Sequence, residues 1–123
     1  MRVKRILIVD DEPGIRESLA EFLEDHDIPS TLAESAEQGL EILAGQPHDL
    51  AIVDMRLPGM DGSAMIDHAC RLYPGMSFII HTGSMDYDLP PELLECGLTE
   101  ADIFRKPILD LSIFLAAVRK RLD

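Results

Sequence analysis

Four short apolar runs in this chain end on polar residues that have no place in a core. Ile6-Leu7-Ile8-Val9 closes on Asp10 and Asp11, and Leu50-Ala51-Ile52-Val53 on Asp54. Phe78-Ile79-Ile80-His81 is followed by Thr82, and Ile103-Phe104-Arg105 by Lys106. A continuous apolar run without alternation reads as a strand buried on both faces, the signature of a parallel sheet covered by helices. Parallel neighbours need crossovers of a dozen or more residues, usually helical. The interval from Asp11 to Asp54 is long enough for two such units, and each later interval for one. In an open parallel sheet the carboxyl ends of the strands share one edge, and that edge carries the binding crevice. Asp10, Asp11, Asp54, Thr82 and Lys106 are therefore expected to converge.

The intervening segments carry helical patterning. The first strand spans Lys4 to Val9; Pro13 then suits the first turn of a helix that places Ile15, Leu19, Phe22 and Leu23 on one face. A short second strand lies near Ser30 to Ala33. Ser35 with Gln38 forms a capping-box pattern ahead of a helix burying Ala36, Leu40 and Leu43. Pro58-Gly59-Met60-Asp61-Gly62 is a loop, and a third helix runs from Ser63 to Tyr73 before Pro74-Gly75. The fourth strand is Ser77 to His81. Only Pro91 to Cys96 looks helical before Gly97. A fifth strand, Asp102 to Phe104, leads to a final helix with Leu111, Leu115, Val118 and Leu122 at helical spacing. Strict alternation of strand and helix implies a three-layer α/β domain.

Size and composition narrow the function classes. At 123 residues the chain is expected to be a single domain over residues 1–123, with 46% apolar and 28% charged residues. The final helix reaches nearly to the last residue, so no output domain is expected within this sequence. A formal charge of -12 argues against direct nucleic-acid binding and fits attraction to a divalent cation and basic protein surfaces. No apolar stretch approaches the ~18 residues of a membrane span. The basic start, Met1 to Arg5, precedes too short an apolar run for a signal peptide, so a cytoplasmic location is expected. Cys70 and Cys96 lack metal-ligand spacing and read as two reduced structural thiols.

Three carboxylates, a hydroxyl and an ammonium in one crevice suggest magnesium and a phosphoryl group. Crowded carboxylates repel unless a cation joins them, and Mg2+ favours oxygen ligands together with phosphate oxygens. Taken alone, Asp10 and Asp11 could be solvated strand-end acids, Lys106 a surface lysine and Thr82 a β-branched strand residue. Together they favour chemistry. Asp54 is then the natural phosphoryl acceptor, since a carboxylate can form an aspartyl phosphate.

These residues sit in Val9-Asp10-Asp11-Glu12-Pro13, Asp54-Met55-Arg56-Leu57-Pro58-Gly59-Met60-Asp61-Gly62, Thr82-Gly83 and Lys106-Pro107. In those four motifs, and over essentially its whole length, the chain resembles the receiver domain of bacterial two-component response regulators. The resemblance implies a flavodoxin-like, doubly wound sheet of order 2-1-3-4-5 with helices on both faces, and often a cis Lys106-Pro107 bond. It implies phosphorylation of Asp54 by a histidine kinase or phosphotransfer protein. Asp11, Asp54 and the backbone carbonyl of Arg56 would ligate Mg2+ directly, with Asp10 acting through water. Lys106 would pair with the phosphoryl group, and Thr82 would move toward it as the switch. Arg56 and Ser84 stand where the family tunes phosphoryl lifetime, or are solvated loop residues. The product would be a regulatory phosphoacceptor, not a metabolic enzyme, signalling to a downstream target or an output domain outside this chain.

Some positions depart from the family or read blandly. Many receivers carry an aromatic residue where this chain has Ile103, and strand alternation prevents Phe104 from replacing it. Pro90-Pro91 limits where the fourth helix starts, which predicts a short, shifted or mobile element. His81 reads as a hydrogen-bonded core histidine, and Arg119-Lys120-Arg121 as an answer to the negative end of the last helix. These departures leave room for an interaction module that works without phosphorylation. An aspartate-nucleophile phosphatase needs D-x-D-x-T after strand one, which Asp10-Asp11-Glu12 does not supply. Flavin binding needs a Ser/Thr/Gly-rich phosphate loop there, and the acids would repel it.

Overall fold

A computed structural model describes residues 4–123. Five parallel strands, β1 (Ile6–Val9), β2 (Ser30–Ala33), β3 (Leu50–Val53), β4 (Ser77–Thr82) and β5 (Ile103–Arg105), lie in the order 2-1-3-4-5. Five helices alternate with them: α1 (Pro13–Glu24), α2 (Ala36–Gly45), α3 (Gly62–Leu72), α4 (Pro91–Glu95) and α5 (Leu111–Leu122). A single 3-10 turn, Glu100–Asp102, precedes β5.

The central strands β1 and β3 are buried on both faces because they are apolar at every position, and Phe78, Ile79 and Ile80 of β4 continue that layer. Alternating side chains divide between two cores. Leu7, Val9, Ala51, Val53 and Ile80 pack beneath α2 and α3 with Met65, Ile66 and Ala69. Ile6, Ile8, Leu50, Ile52 and Ile79 pack beneath α1 and α5 with Leu23, Phe114 and Val118. Phe114 is fully buried and edge-on to Phe104, ring centroids 5.4 Å apart. Phe104 thus belongs to the α1/α5 face, while Ile103 belongs to the opposite core. Phe104 therefore cannot stand in for an aromatic residue at position 103.

Local signals set the helix boundaries. Pro13 occupies the first turn of α1, and the Ser35 side chain accepts from the Gln38 amide at α2. The reciprocal bond differs from a capping box: Gln38 Oε1 accepts from the Glu34 amide, one residue before the cap. Asp61 caps α3 through the Ala64 amide. The final helix keeps Leu115 and Val118 buried, but Leu111 is exposed and Phe114 takes the core position. Arg121 does more than face the helix end, since its Nε donates to Asp102 Oδ1 at 3.0 Å, tying α5 to the turn before β5.

The fourth helix is short, five residues, with Leu93 as its one buried residue. The sequence expectation for the cysteines fails. Cys70 in α3 and Cys96 at the end of α4 are joined in a disulfide, with Cα atoms 6.0 Å apart. Composition suggested reduced thiols, but nothing in sequence spacing shows that a returning α4 brings Cys96 onto the last turn of α3.

Gly62, the first residue of α3, allows the chain to turn tightly beneath the β3 edge. A Cβ there would overlap the backbone oxygen of Asp54 and lie 2.9 Å from Met55 Cα. Backbone cannot yield as a side-chain tip can. Gly62→Ala is expected to destabilise the protein by about 2–3 kcal/mol, the upper range for overpacking. Urea unfolding at neutral pH checks this, and a midpoint equal to wild type would show that the loop has slack.

A candidate phosphoacceptor site at the carboxyl edge of the sheet

The parallel ladder continues one residue past several strands and holds the polar residues in place. The Asp10 amide donates to the Ala33 carbonyl at 3.1 Å, and the Asp54 amide to Val9 at 2.9 Å. The Lys106 amide donates to the Thr82 carbonyl at 2.7 Å. Residues far apart in sequence are thereby fixed side by side, as the strand-end argument requires. The Lys106-Pro107 peptide bond is cis.

Asp10 and Asp54 are nearly inaccessible, at 1% and 4% exposure, and Thr82 is fully buried. Lys106 Nζ lies 3.0 Å from Asp10 Oδ2 and 3.3 Å from Asp54 Oδ2. Its third neighbour is Glu12, at 3.4 Å. Asp10 Oδ1 accepts from the Glu12 amide at 2.9 Å, and Asp54 Oδ1 from the Arg56 amide at 3.2 Å. The Thr82 hydroxyl accepts from the Ser84 amide at 3.1 Å, so Ser84 shapes the loop through its backbone. Arg56 has an exposed side chain.

The electrostatics follow from this crowding. Burial pushes the Asp54 carboxyl above its ordinary value, and the Arg56 amide and Lys106 only partly oppose it. Burial alone would push the Lys106 ammonium down, but Asp10 and Asp54 outweigh it and hold the group above its usual range.

Carboxylate oxygens of Asp10, Asp11, Glu12 and Asp54 can all lie within 4.8 Å of one another. A set of hard oxygen donors, two of them buried, fits Mg2+ in preference to softer metals. Sequence reasoning placed Asp10, Asp11 and Asp54 here but gave Glu12 no role. Its position third in the acidic run after β1 was the available signal. A second group, Asp67, Cys70 and Cys96, lies elsewhere, and there the sulfurs are bonded to each other.

His81 differs from its expectation. It is buried, but both ring nitrogens lack a hydrogen-bond partner among the described residues. Burial, reinforced by Lys106 and opposed by Asp10, pushes its imidazole down to about 4. The folded protein therefore holds it neutral while the unfolded chain takes up a proton below ~6.5. Its contribution to stability is complete above that value and is lost as pH falls toward 4. The full loss is about 3 kcal/mol. His81→Leu removes this dependence, so the advantage of wild type over the variant should shrink by that amount between pH 7 and pH 4. Parallel urea titrations at both pH values read it; a constant difference would mean that His81 is already protonated in the fold.

Beside the acids, a cleft of about 540 Å3 opens between α1 and the β5–α5 loop, with Ile15, Leu19, Phe22, His81, Lys106 and Leu111 on its wall. Among the described residues no helix is long and apolar enough to cross a membrane.

Comparison with known proteins agrees with this geometry. The family model for the response regulator receiver domain matches residues 6–119. The sporulation initiation phosphotransferase F of Bacillus subtilis is 34% identical over 123 residues, covering 99% of this chain and 96% of that protein. A receiver domain protein of Methanospirillum hungatei superposes with a TM-score of 0.85 at 31% identity, covering 99% of this chain and 95% of that one. The response regulator TrrA of Thermotoga maritima, solved in complex with Mg(2+)-BeF, gives 0.84 at 28% identity, covering 97% and 99%. Other curated relatives are longer, and the chain spans 41%, 42% and 53% of the length of three of them. Receiver domains are regulatory phosphoacceptors, not enzymes of metabolism. With its 2-1-3-4-5 parallel sheet and its acids and lysine gathered at the carboxyl edge, this chain belongs to the receiver domain family of two-component response regulators.

Proposed function

We propose that this chain, as a single receiver domain over residues 1–123, is a switch thrown by phosphorylation of Asp54. The observation that carries the reading is the position of Lys106 Nζ, 3.3 Å from Asp54 and 3.0 Å from Asp10, inside a cluster of four carboxylates. A buried carboxylate beside a partly buried ammonium and a metal-ready acid set is equipped to accept a phosphoryl group and neutralise it. The donor is a phosphohistidine on a sensor kinase or phosphotransfer protein. The near full-length relative named a phosphotransferase supports that class of partner.

In the reaction an Asp54 carboxylate oxygen forms the new bond to phosphorus, and the bond from phosphorus to the donor imidazole breaks with its electron pair returning to nitrogen. Asp11, Asp54 and the Arg56 backbone carbonyl would hold Mg2+ directly, with Asp10 acting through a bound water. When bound, the ion screens the carboxylates and neutralises phosphoryl oxygens. Lys106 moves its ammonium from the free Asp54 carboxylate to the phosphoryl group. Thr82 exchanges its local bond with the Ser84 amide for one donated to a phosphoryl oxygen. Arg56 and Ser84, beside the acceptor and the threonine, set how long the group survives hydrolysis. The chain thus assists only its own phosphorylation and dephosphorylation.

The apolar cleft between α1 and the β5–α5 loop adjoins Lys106 and receives the donor protein. The output is a changed surface for a downstream target or an attached output domain, with no direct contact to nucleic acid or membrane. The reducing cytoplasm is the compartment where such donors operate. Binding without phosphorylation would leave the buried Asp54–Lys106–Asp10 arrangement without a role.

Intact-mass spectrometry after incubation with acetyl phosphate tests the reading. One phosphoryl group is expected with magnesium present and none with EDTA. Uptake indifferent to EDTA would remove the metal assignment, and absence of uptake in magnesium with acetyl phosphate and with phosphorylated donor proteins would remove the acceptor.

A further inference from the structure

We propose that Cys70 and Cys96 form a thiol–disulfide exchange site whose redox state locks or releases α4. The site takes a low-molecular-weight thiol or its disulfide, and nothing in the phosphorylation chemistry requires it.

The disulfide joins the last turn of α3 to the residue that ends α4, across a sequence separation of 26. The enclosed chain includes β4, Thr82 and the whole connection from Gly83 to Pro90. Of the regular elements the bond encloses, α4 is the least anchored. A five-residue helix has no stability of its own. Leu93 is its single buried residue, and Leu94 is 55% exposed. Leu98, just beyond, adds a second apolar contact, and its amide donates to the Leu93 carbonyl at 3.1 Å. The covalent link therefore supplies a large share of what holds this segment to the domain.

Access distinguishes this pair from an inert staple. Both cysteines are only partly buried and line a surface cavity of about 360 Å3 with Arg71, Pro74 and Glu95, room enough for a small thiol to reach sulfur. The reduced state also has a place in the fold, since the Asp67 carbonyl oxygen lies 3.4 Å from Cys70 Sγ as an acceptor for a thiol hydrogen. In a reducing compartment, disulfides are typically transient and redox-responsive, not structural.

The exchange balances as a two-electron reaction. A reductant thiolate attacks one sulfur, the disulfide bond breaks, and the other cysteine leaves as a thiolate that takes a proton from water. A second reductant thiolate resolves the mixed disulfide and frees the first cysteine. Two reductant thiols become one disulfide, and Cys70 and Cys96 become two thiols. Removing the cross-link restores conformational freedom to the chain it enclosed, and the weakly anchored α4 takes up most of it.

The test equilibrates the protein in glutathione buffers from fully reduced to fully oxidised. Thiols are counted by alkylation and intact mass, and amide hydrogen exchange is read over residues 83–98. Two labels are expected in reduced buffer and none in oxidised buffer, without a stable single-label plateau. Amides of Leu93 to Leu98 should exchange about tenfold or more faster in the reduced state, with β1 and β3 unchanged. The double variant Cys70→Ser/Cys96→Ser should match the reduced protein in every buffer. Two labels throughout, no labels throughout, or equal exchange of the α4 amides in both states would each overturn the proposal. No readout involves phosphorylation, so the outcome is independent of the Asp54 assignment.

Discussion

Asp54→Asn is expected to abolish phosphoryl uptake while leaving the protein at least as stable as wild type. An amide keeps the shape of the side chain but lacks the anionic oxygen that attacks phosphorus, so the rate with a small-molecule donor should fall by ~10³ or more. Any residual label would have to come from Asp10, Asp11 or Glu12. Asp10 is buried and already committed to the Glu12 amide and Lys106. The stability half of the prediction comes from burial. Burial raises the Asp54 carboxyl above its ordinary value, so the unfolded chain ionises first and folding carries a cost at neutral pH. That cost is absent when the group is protonated in both states, develops as pH rises past the unfolded value and is complete above the folded one. A neutral amide removes it. In EDTA at pH 7 the variant should therefore unfold at an equal or higher urea concentration than wild type. Unfolding at a clearly lower concentration would mean that the Lys106 pair outweighs desolvation.

Lys106→Met is expected to act in the opposite direction, lowering both stability and phosphorylation. The Lys106 side chain is 13% exposed, and its two aspartate partners are 2% and 4% exposed. Removing one member of a buried ionic group costs about 3–5 kcal/mol, because the remaining charges stay desolvated and unpaired. The ammonium is held above its usual value, so its contribution is fully present at pH 7 and fades only as pH rises through the folded value. Magnesium should restore part of the loss by supplying a replacement cation to the same carboxylates, so it should stabilise the variant more than wild type. Losing one charge-stabilising donor should also slow phosphoryl uptake by about 10²-fold or more. Urea unfolding with and without magnesium, beside initial rates of mass gain, measures all three effects. Equal stability of variant and wild type in EDTA would contradict the observed ion-pair geometry.

Pattern alone gave the sheet and the acid pocket because the physics there is local and repetitive. Short, largely apolar runs ending on Asp10, Asp54, Thr82 and Lys106, separated by helical patterning, read as strands of a covered parallel sheet, and one shared edge then follows. The helix starts at Pro13 and Ser35 were legible because capping uses neighbours in sequence. Glu12 was visible only as the third acid of a run, and its nearness to Lys106 depends on β5 pairing on the far side of β4.

What sequence could not decide lies where segments meet without a periodic signal. Nothing in the spacing of Cys70 and Cys96 gives their separation; α4 had to be cut short by Pro91 and Gly97 and folded back against α3 before the sulfurs met. His81 sits in an apolar run whose neighbours offer no partner, and only the packed α1/α5 face shows its nitrogens unsatisfied. Phe114 replaced Leu111 in the core because helix rotation is set by packing against Phe22 and Phe104, not by spacing alone. The sequence by itself determined the sheet, its order of burial and the residues at its edge, through hydrophobic pattern acting over a few residues at a time. Tertiary structure alone decided the disulfide, the isolated histidine and the three-carboxylate environment of Lys106, because each is a distance between side chains that only a closed fold defines.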